Sequence, residues 1–395
     1  MPEETDHHIG TRVREVRKRR GMSQRDLADA AGLSLSLIRK LEQGEKQSVR
    51  LETAHMIARA LDVPTTRLVS EEPPAWHPPL LHDTWRGVVA ALEAPPAQLP
   101  EEPTESGVSG ALAGGRSLFA AEQYADLGRM LPALIRDVHG LGEGTSARRL
   151  RYQALSLCVS FLGQVRQYAA AAEAAQRAVD AATDQLDGGA AVVAQCQQML
   201  RGGRLSDVAD LATRWADDVE PRISRATPEQ LTVWGGLQLR VGAAAVRDNR
   251  PGEAADAIRL AQIAAVRLGR EHLGGPDHLR HFGPVTVTHQ RAEHAAIQRR
   301  PDHVLRLHEA VRVWRPARGG GRSGRFRHLL DVADAHLRMH DDAACMNILY
   351  RIHDDAPQWL VAQRYAGDIL ERVLVQRRTL TPEMRDLADA VGVPV

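Results

Sequence analysis

Between Gln24 and Arg50 the chain collects side chains suited to touching a nucleic acid: Gln24, Arg25, Ser34, Leu35, Ser36, Arg39, Lys40, Lys46, Gln47 and Arg50. An arginine such as Arg39 can read guanine O6 and N7 with two N–H donors, and a serine such as Ser36 can donate or accept. A leucine such as Leu35 can pack on a thymine methyl. Basic groups at the rim gain affinity by displacing counterions from phosphates. A second concentration is histidine: His272, His278, His281, His289, His294, His303 and His308 fall within residues 272–308. His278 and His281 could share one helical face. No Cys or carboxylate cluster there has ligand spacing and H-E-x-x-H is absent, so no metal is expected. Ordinary packing is the main expectation for these histidines, and a pH-responsive or ligand-binding pocket the sharper one. The basic, Gly-rich stretch 315–325 lacks the G-x-x-x-x-G-K-[ST] phosphate loop and reads as a flexible connection. Neither a catalytic triad, nor paired carboxylates, nor a cofactor fingerprint is visible, so neither an enzyme nor a cofactor is expected.

The elements that must position these groups are helices. Across 395 residues only 4% are aromatic, which favours Ala-packed helices over a sandwich of strands. An all-α fold is expected. No apolar run approaches the ~18 residues of a membrane span, and the polar start at Met1-Pro2-Glu3-Glu4 is no secretory leader. Cys158, Cys196 and Cys345 are widely spaced and read as free core thiols of a cytoplasmic protein.

The net charge of +1 hides a division. Residues 1–70 hold 13 Lys+Arg and 10 Asp+Glu. Residues 71–106 hold one basic and seven acidic residues with 8 of the 21 prolines. Residues 107–395 hold 37 basic and 33 acidic residues. The expected organisation is a DNA-binding domain at 1–70, a proline-rich acidic linker at 71–109 and a helical repeat domain at 110–395. Within the linker, residues 80–92 have helical spacing, and residues 95–109 are expected to be mobile.

In the first part, Ile9, Val13 and Val16 form an apolar stripe, opposite a basic face of Arg12, Arg14, Arg17, Lys18, Arg19 and Arg20. Ser23 caps a second helix with Asp26 three residues on, and Gly32 makes a tight turn. Ser34 caps a third helix closed by Gly44. A fourth runs from Leu51 to Leu61, and a short fifth opens at Pro64. The strings RVREVRKRRGMSQRDLADAAGLS (12–34), IRKLEQGE (38–45) and LETAHMIARALDVP (51–64) resemble the XRE/Cro-type helix-turn-helix family over residues 9–70. The resemblance implies that the helix from Ser34 enters the major groove. It assigns Gln24 to a phosphate and to bracing that helix, with Arg25 beside it. Leu35, Ser36, Arg39 and Lys40 fall on its outward positions, and Lys46, Gln47 and Arg50 on the loop that grips the backbone.

Beyond residue 110 helical periodicity recurs, with breaks at Gly and Pro clusters that include Gly188-Gly189. Second helices of hairpins are expected to begin near Tyr168, Leu205, Glu253, His303 and Ala343, the mark of an α-solenoid. Trp234 to Leu268 resembles a degenerate tetratricopeptide repeat, with Gln238 where that pattern prefers Gly. Phe282-Gly283-Pro284 followed by His289 resembles a motif of an actinobacterial regulator group that joins XRE heads to such repeats, and the layout is similar to that of peptide-sensing bacterial regulators. These resemblances imply a homodimer binding a double-stranded DNA operator, with a peptide or small-molecule effector in the repeats. Trp234, Gln238, Phe282 and His289 are the effector candidates. The alternative is a repeat domain that docks a protein partner and has no small effector.

Overall fold

The computed structural model describes residues 9–69, 84–95, 101–272, 281–312, 322–376 and 380–393. His278, the whole of the linker stretch 71–83 and the stretch 313–321 lie outside the described residues, as does the N-terminal segment 1–8.

The N-terminal head contains α1 (Ile9–Arg19), α2 (Gln24–Ala31), α3 (Leu35–Glu42) and α4 (Leu51–Ala60). Each start has a local cause. Ser23 Oγ accepts the Asp26 amide at 3.1 Å while the Ser23 amide donates to Asp26 Oδ2 at 2.8 Å, a reciprocal cap. Ser34 Oγ accepts the Leu37 amide at 3.2 Å. Gly32 turns the chain between α2 and α3 at φ 64°, where a side chain would be strained. Val13, Leu27, Ile38, Leu41, Ile57 and Ala58 close the head's core. Two expectations change. Arg17 leaves the basic face of α1 and is buried. The fifth helix is a single 3-10 turn, Thr65–Arg67. The Thr66 amide donates outside the head, to Asp248, instead of extending a helix.

The rest is a helical array. Helix α5 (Thr84–Glu93) packs on α7 (Tyr124–Gly140), which pairs with α6 (Glu105–Ala120). Residues 105–109, expected in the linker, are thus the first turns of α6, capped by Thr104. There follow α8 (Thr145–Gln164) with α9 (Tyr168–Ala181), α10 (Gln185–Arg201) with α11 (Leu205–Asp218), and α12 (Pro228–Arg247) with α13 (Pro251–Leu268). Then come α14 (Pro284–Ile297) with α15 (Pro301–Arg312) and α16 (Arg322–Arg338) with α17 (Asp342–Asp355). Helices α18 (Pro357–Ala362), α19 (Arg364–Val375) and α20 (Pro382–Val391) close the array.

The six hairpins share one turn. Two positions before each second helix stands a left-handed residue: Glu122, Arg166, Gly203, Asn249, Arg299 or His340, with φ from 56 to 84°. Gly and Asn are at home there, and the other four are held by the packing around them. The expected hairpin starts agree with the structure to within two residues, but the first hairpin escaped notice. Gly188 and Gly189, expected to break a helix, lie inside α10. A Cβ on them would meet Trp215 at 2.8 Å and Val233 at 2.6 Å, so they are there for close packing. One buried cluster includes side chains of α5–α9 and of α16–α20, which brings the two ends of the array together.

Candidate functional site

The head presents α3 outward. Ser36, Arg39 and Lys40 occupy one helical face and are exposed, as are Arg25, Lys46 and Gln47. Ser34 serves as the cap, and Leu35 is half-buried against the head's core. Beneath this face lies a closed charge circuit. Arg17 Nε and Nη2 donate to the two oxygens of Glu42 at 2.6 and 2.7 Å, and Gln24 Nε2 donates to Glu42 Oε2 at 2.8 Å. Burial alone would push the Glu42 carboxyl up, yet Arg17 and Gln24 hold it below its ordinary range. Gln24 therefore braces α3 through Glu42 at its last turn.

The head is held by the array at two hairpin turns. At the α12–α13 turn, the Arg247 carbonyl accepts from Thr65 Oγ1 at 2.7 Å and from His55 Nδ1 at 2.8 Å. Asp248 Oδ1 accepts from the Thr66 amide and hydroxyl, both at 2.9 Å, and Asn249 Nδ2 donates to the Val63 carbonyl at 3.3 Å. At the α14–α15 turn, the Gln298 carbonyl accepts from Arg59 at 3.0 Å. Across the array, Arg50 pairs with Asp368 of α19. This last contact engages a residue assigned to the DNA backbone. Burial pulls the His55 imidazole below its ordinary value, so the joint holds it neutral.

Between α4 and the array lies a cavity of about 2120 Å³, walled by Arg50, Leu51, Glu52, His55 and Met56 of the head and by residues of α6, α8, α9, α10, α12 and α14 to α19. Of the four effector candidates only His289 faces it. Its ring stacks on His328 with centroids 4.2 Å apart, and His328 Nε2 lies 3.0 Å from His308 Nδ1. Burial, then the neighbouring His308, takes His289 down to about 4, and burial takes His294 down to about 4. No group of three or more metal-ligating side chains suited to an ion occurs among the described residues. Trp234, Gln238 and Phe282, also expected as effector contacts, do not line this cavity. Phe282 is fully buried against Gly235, where a Cβ would stand 2.1 Å from its ring, and Trp234 sits in the same apolar cluster. The repeat and Phe-Gly-Pro resemblances singled them out, and the structure places Trp234 and Phe282 in an apolar core.

The motif around Phe282 has a different use. Pro284 opens α14, and Glu271 accepts from the Val285 and Thr286 amides and from the Thr286 hydroxyl at 2.8 Å, capping that helix. Helix α14 then delivers Glu293 to the cavity. Burial would push its carboxyl up, but Arg247 and, at 3.6 Å, Arg327 hold it well below the usual carboxylate range. Burial pushes Asp331 up to about 7. Arg201, Arg240, Arg247, Glu293, Arg327 and His328 were not anticipated, because no spacing motif connects helices so far apart in the chain. Cys158, Cys196 and Cys345 are buried free thiols pushed up to about 12 by burial, so they are protonated at neutral pH.

Residues 13–68 match the helix-turn-helix family, so the head is a helix-turn-helix domain of the XRE type. No curated protein sequence matches the chain. Among solved structures, the chain is similar to a crystal structure of Bacillus thuringiensis PlcR in complex with the peptide PapR7 and DNA. The two are 12% identical, the match covers 86% of this chain and 98% of that one, and the TM-score is 0.37. No helix among the described residues is long and apolar enough to cross a membrane.

Proposed function

We propose that this protein is a sequence-specific DNA-binding transcription regulator. Its α3 reads double-stranded operator DNA, and its helical array senses a peptide or small-molecule effector in the cavity beneath the head. The observation that best supports the coupling is the double engagement of Arg247. Its side chain lies in the cavity on Glu293, while its carbonyl anchors Thr65 and His55 of the head. An effector that rearranges the cavity charges acts on the joint through this one residue. It shifts the population between held and released heads by its different affinity for the two.

A homodimer fits this work, since two heads on half-sites ~34 Å apart supply affinity that one lacks. The outer face of α13 supports it: Leu260, Ile263 and Val266, one helical turn apart, are 39, 49 and 71% exposed. Light scattering checks this. A dimeric mass reduced to monomer by Ile263→Asp supports the dimer, and a monomeric wild type leaves the stripe to a protein partner, the docking-scaffold reading.

The DNA-reading half is tested by a mobility-shift assay on DNA upstream of the protein's own gene. Arg39→Ala and Lys40→Ala are each expected to weaken binding about 10-fold or more, the loss of a base or phosphate contact. Unchanged binding by both would remove α3 as the reading helix.

A further inference from the structure

The inner wall of the array leaves positive charge unmatched. Among the described residues, thirteen arginines and eight carboxylates line the cavity. Most of the carboxylates with printed partners are already engaged: Asp334 with Arg338 and Arg372, Asp368 with Arg50, Glu293 with Arg247 and Arg327. Arg201 and Arg240 are among the lining arginines with no carboxylate within 4.0 Å among the described residues. Arg201, at the end of α10, donates one hydrogen bond, to the Gly163 carbonyl at 2.9 Å. Arg240, from α12, donates to the side-chain oxygen of Gln197. Gln197 stands one turn before Arg201 on the same face of α10, so the two guanidinium groups are neighbours. Arg240 Nε is fully buried and has no acceptor. Each guanidinium carries five N–H donors, so most of this pair's donors point at no protein acceptor.

We propose that Arg201 and Arg240 form a binding site for a small organic anion carrying a carboxylate or phosphate group. The proposal rests on the reading of the array as a sensor and names the chemical class that it senses. Guanidinium forks match the two oxygens of either group with parallel N–H···O bonds, which are strongest away from bulk water. Two neighbouring cations on the cavity wall, Arg201 exposed and Arg240 half-buried, repel each other, and burial first, then Arg247 and Arg201, lower the proton affinity of Arg240. An oxyanion between them removes the repulsion and fills the empty donors. Glu293 does not serve, since Arg247 and Arg327 occupy it. The cavity is far larger than a single oxyanion, so it leaves room for an organic body beyond the anionic group.

The experiment is thermal unfolding of the full chain, without DNA, in citrate, in inorganic phosphate and in sodium chloride at matched ionic strength. Citrate probes the carboxylate source and inorganic phosphate the phosphate source. At least one should raise the wild-type Tm by about 2 °C or more over chloride. Arg201→Gln and Arg240→Gln should lose that rise, while their Tm in chloride stays at or above that of wild type. Both salts also stabilise proteins generally by exclusion from their surface. A rise that both variants retain would be that general effect and would overturn the site, as would no rise in the wild type. Should a variant fail to fold, isothermal titration of the wild-type chain decides: saturable uptake of either anion supports the site, and none overturns it. Since the assay contains no DNA, its result is separate from that of the sensor reading.

Discussion

Two regions of this chain turn guanidinium groups inward, one into a packed core and one onto a cavity wall, and they treat them in opposite ways. In the head, Arg17 has Glu42 on two nitrogens and the Met22 carbonyl at 2.7 Å on a third, with Gln24 also held on Glu42. In the array, Arg201 and Arg240 meet only amide oxygens. A buried cation that is paired and hydrogen-bonded fixes the relation of two helices. One that is left over is costly unless something outside the chain completes it. The head thus spends its buried charge on shape, holding α1, α2 and α3 in register so that Ser36, Arg39 and Lys40 are aimed together. The array pairs Arg247, Arg327 and Arg372 but leaves the donors of Arg201 and Arg240 open to the cavity.

That contrast can be broken in several places. The largest effect should come from Glu42→Ala, which strands Arg17 inside the head and should cost about 3–5 kcal/mol by chemical denaturation. A comparable loss in Arg240→Gln would erase the distinction between the two regions. Gly235→Ala should cost the array about 1–3 kcal/mol, since the new methyl meets the Phe282 ring. The same substitution should leave the head's transition in place. Acid should separate the regions too. His289 and His294 titrate near 4 in the folded array against an ordinary 6.5, so the unfolded chain binds protons first. Stability from their neutrality is complete above 6.5 and falls as pH drops toward 4, by about 1 kcal/mol for each at pH 5.5. In the array His328, pushed down by burial, adds to this loss, and Asp331, pushed up to about 7, offsets part of it. In the head Glu42, held below its ordinary 4.5, adds a loss only below that value, and His55 at the joint is one pulled-down imidazole against His289, His294 and His328 of the array. Melting at pH 7.5 and 5.5 should therefore lower the array's transition first, and an equal drop in both would contradict this. The smallest effect is Asp368→Asn, which frees Arg50 from the array. DNA affinity should rise by about 5-fold or less, the size of a half-exposed ion pair.

The head was legible because everything that specifies it is local. Its caps at Ser23 and Ser34, the left-handed Gly32 and the apolar stripes lie within sixty residues of one another. Arg17 was misplaced because its partner Glu42 is brought to it only by the crossing of α1 and α3. The array was legible where its turns carried turn residues, as at Gly203 and Asn249-Arg250-Pro251. It was illegible at the first hairpin, although Arg166, Arg299 and His340 take the same backbone shape at hairpins that were expected. The first hairpin turns at Glu122, which has no Gly, Pro or Asn beside it. The cavity had no signature, since Arg201, Arg240, Glu293 and Arg327 come from four helices and the array alone makes them neighbours. His289 was found from its motif, whereas its stacking partner His328 lies beyond the histidine-rich window, across the Gly-rich stretch.

The most direct test of the coupling between these regions is the affinity of the full chain for its upstream DNA, read by fluorescence anisotropy at fixed ionic strength. The titration is run in chloride and then with the stabilising anion, citrate or phosphate, for wild type and Arg240→Gln. The account predicts that the anion changes wild-type affinity by about 5-fold or more and leaves Arg240→Gln unchanged. A wild type that takes up the anion but binds DNA with the same affinity, or a variant that responds as the wild type does, would contradict it.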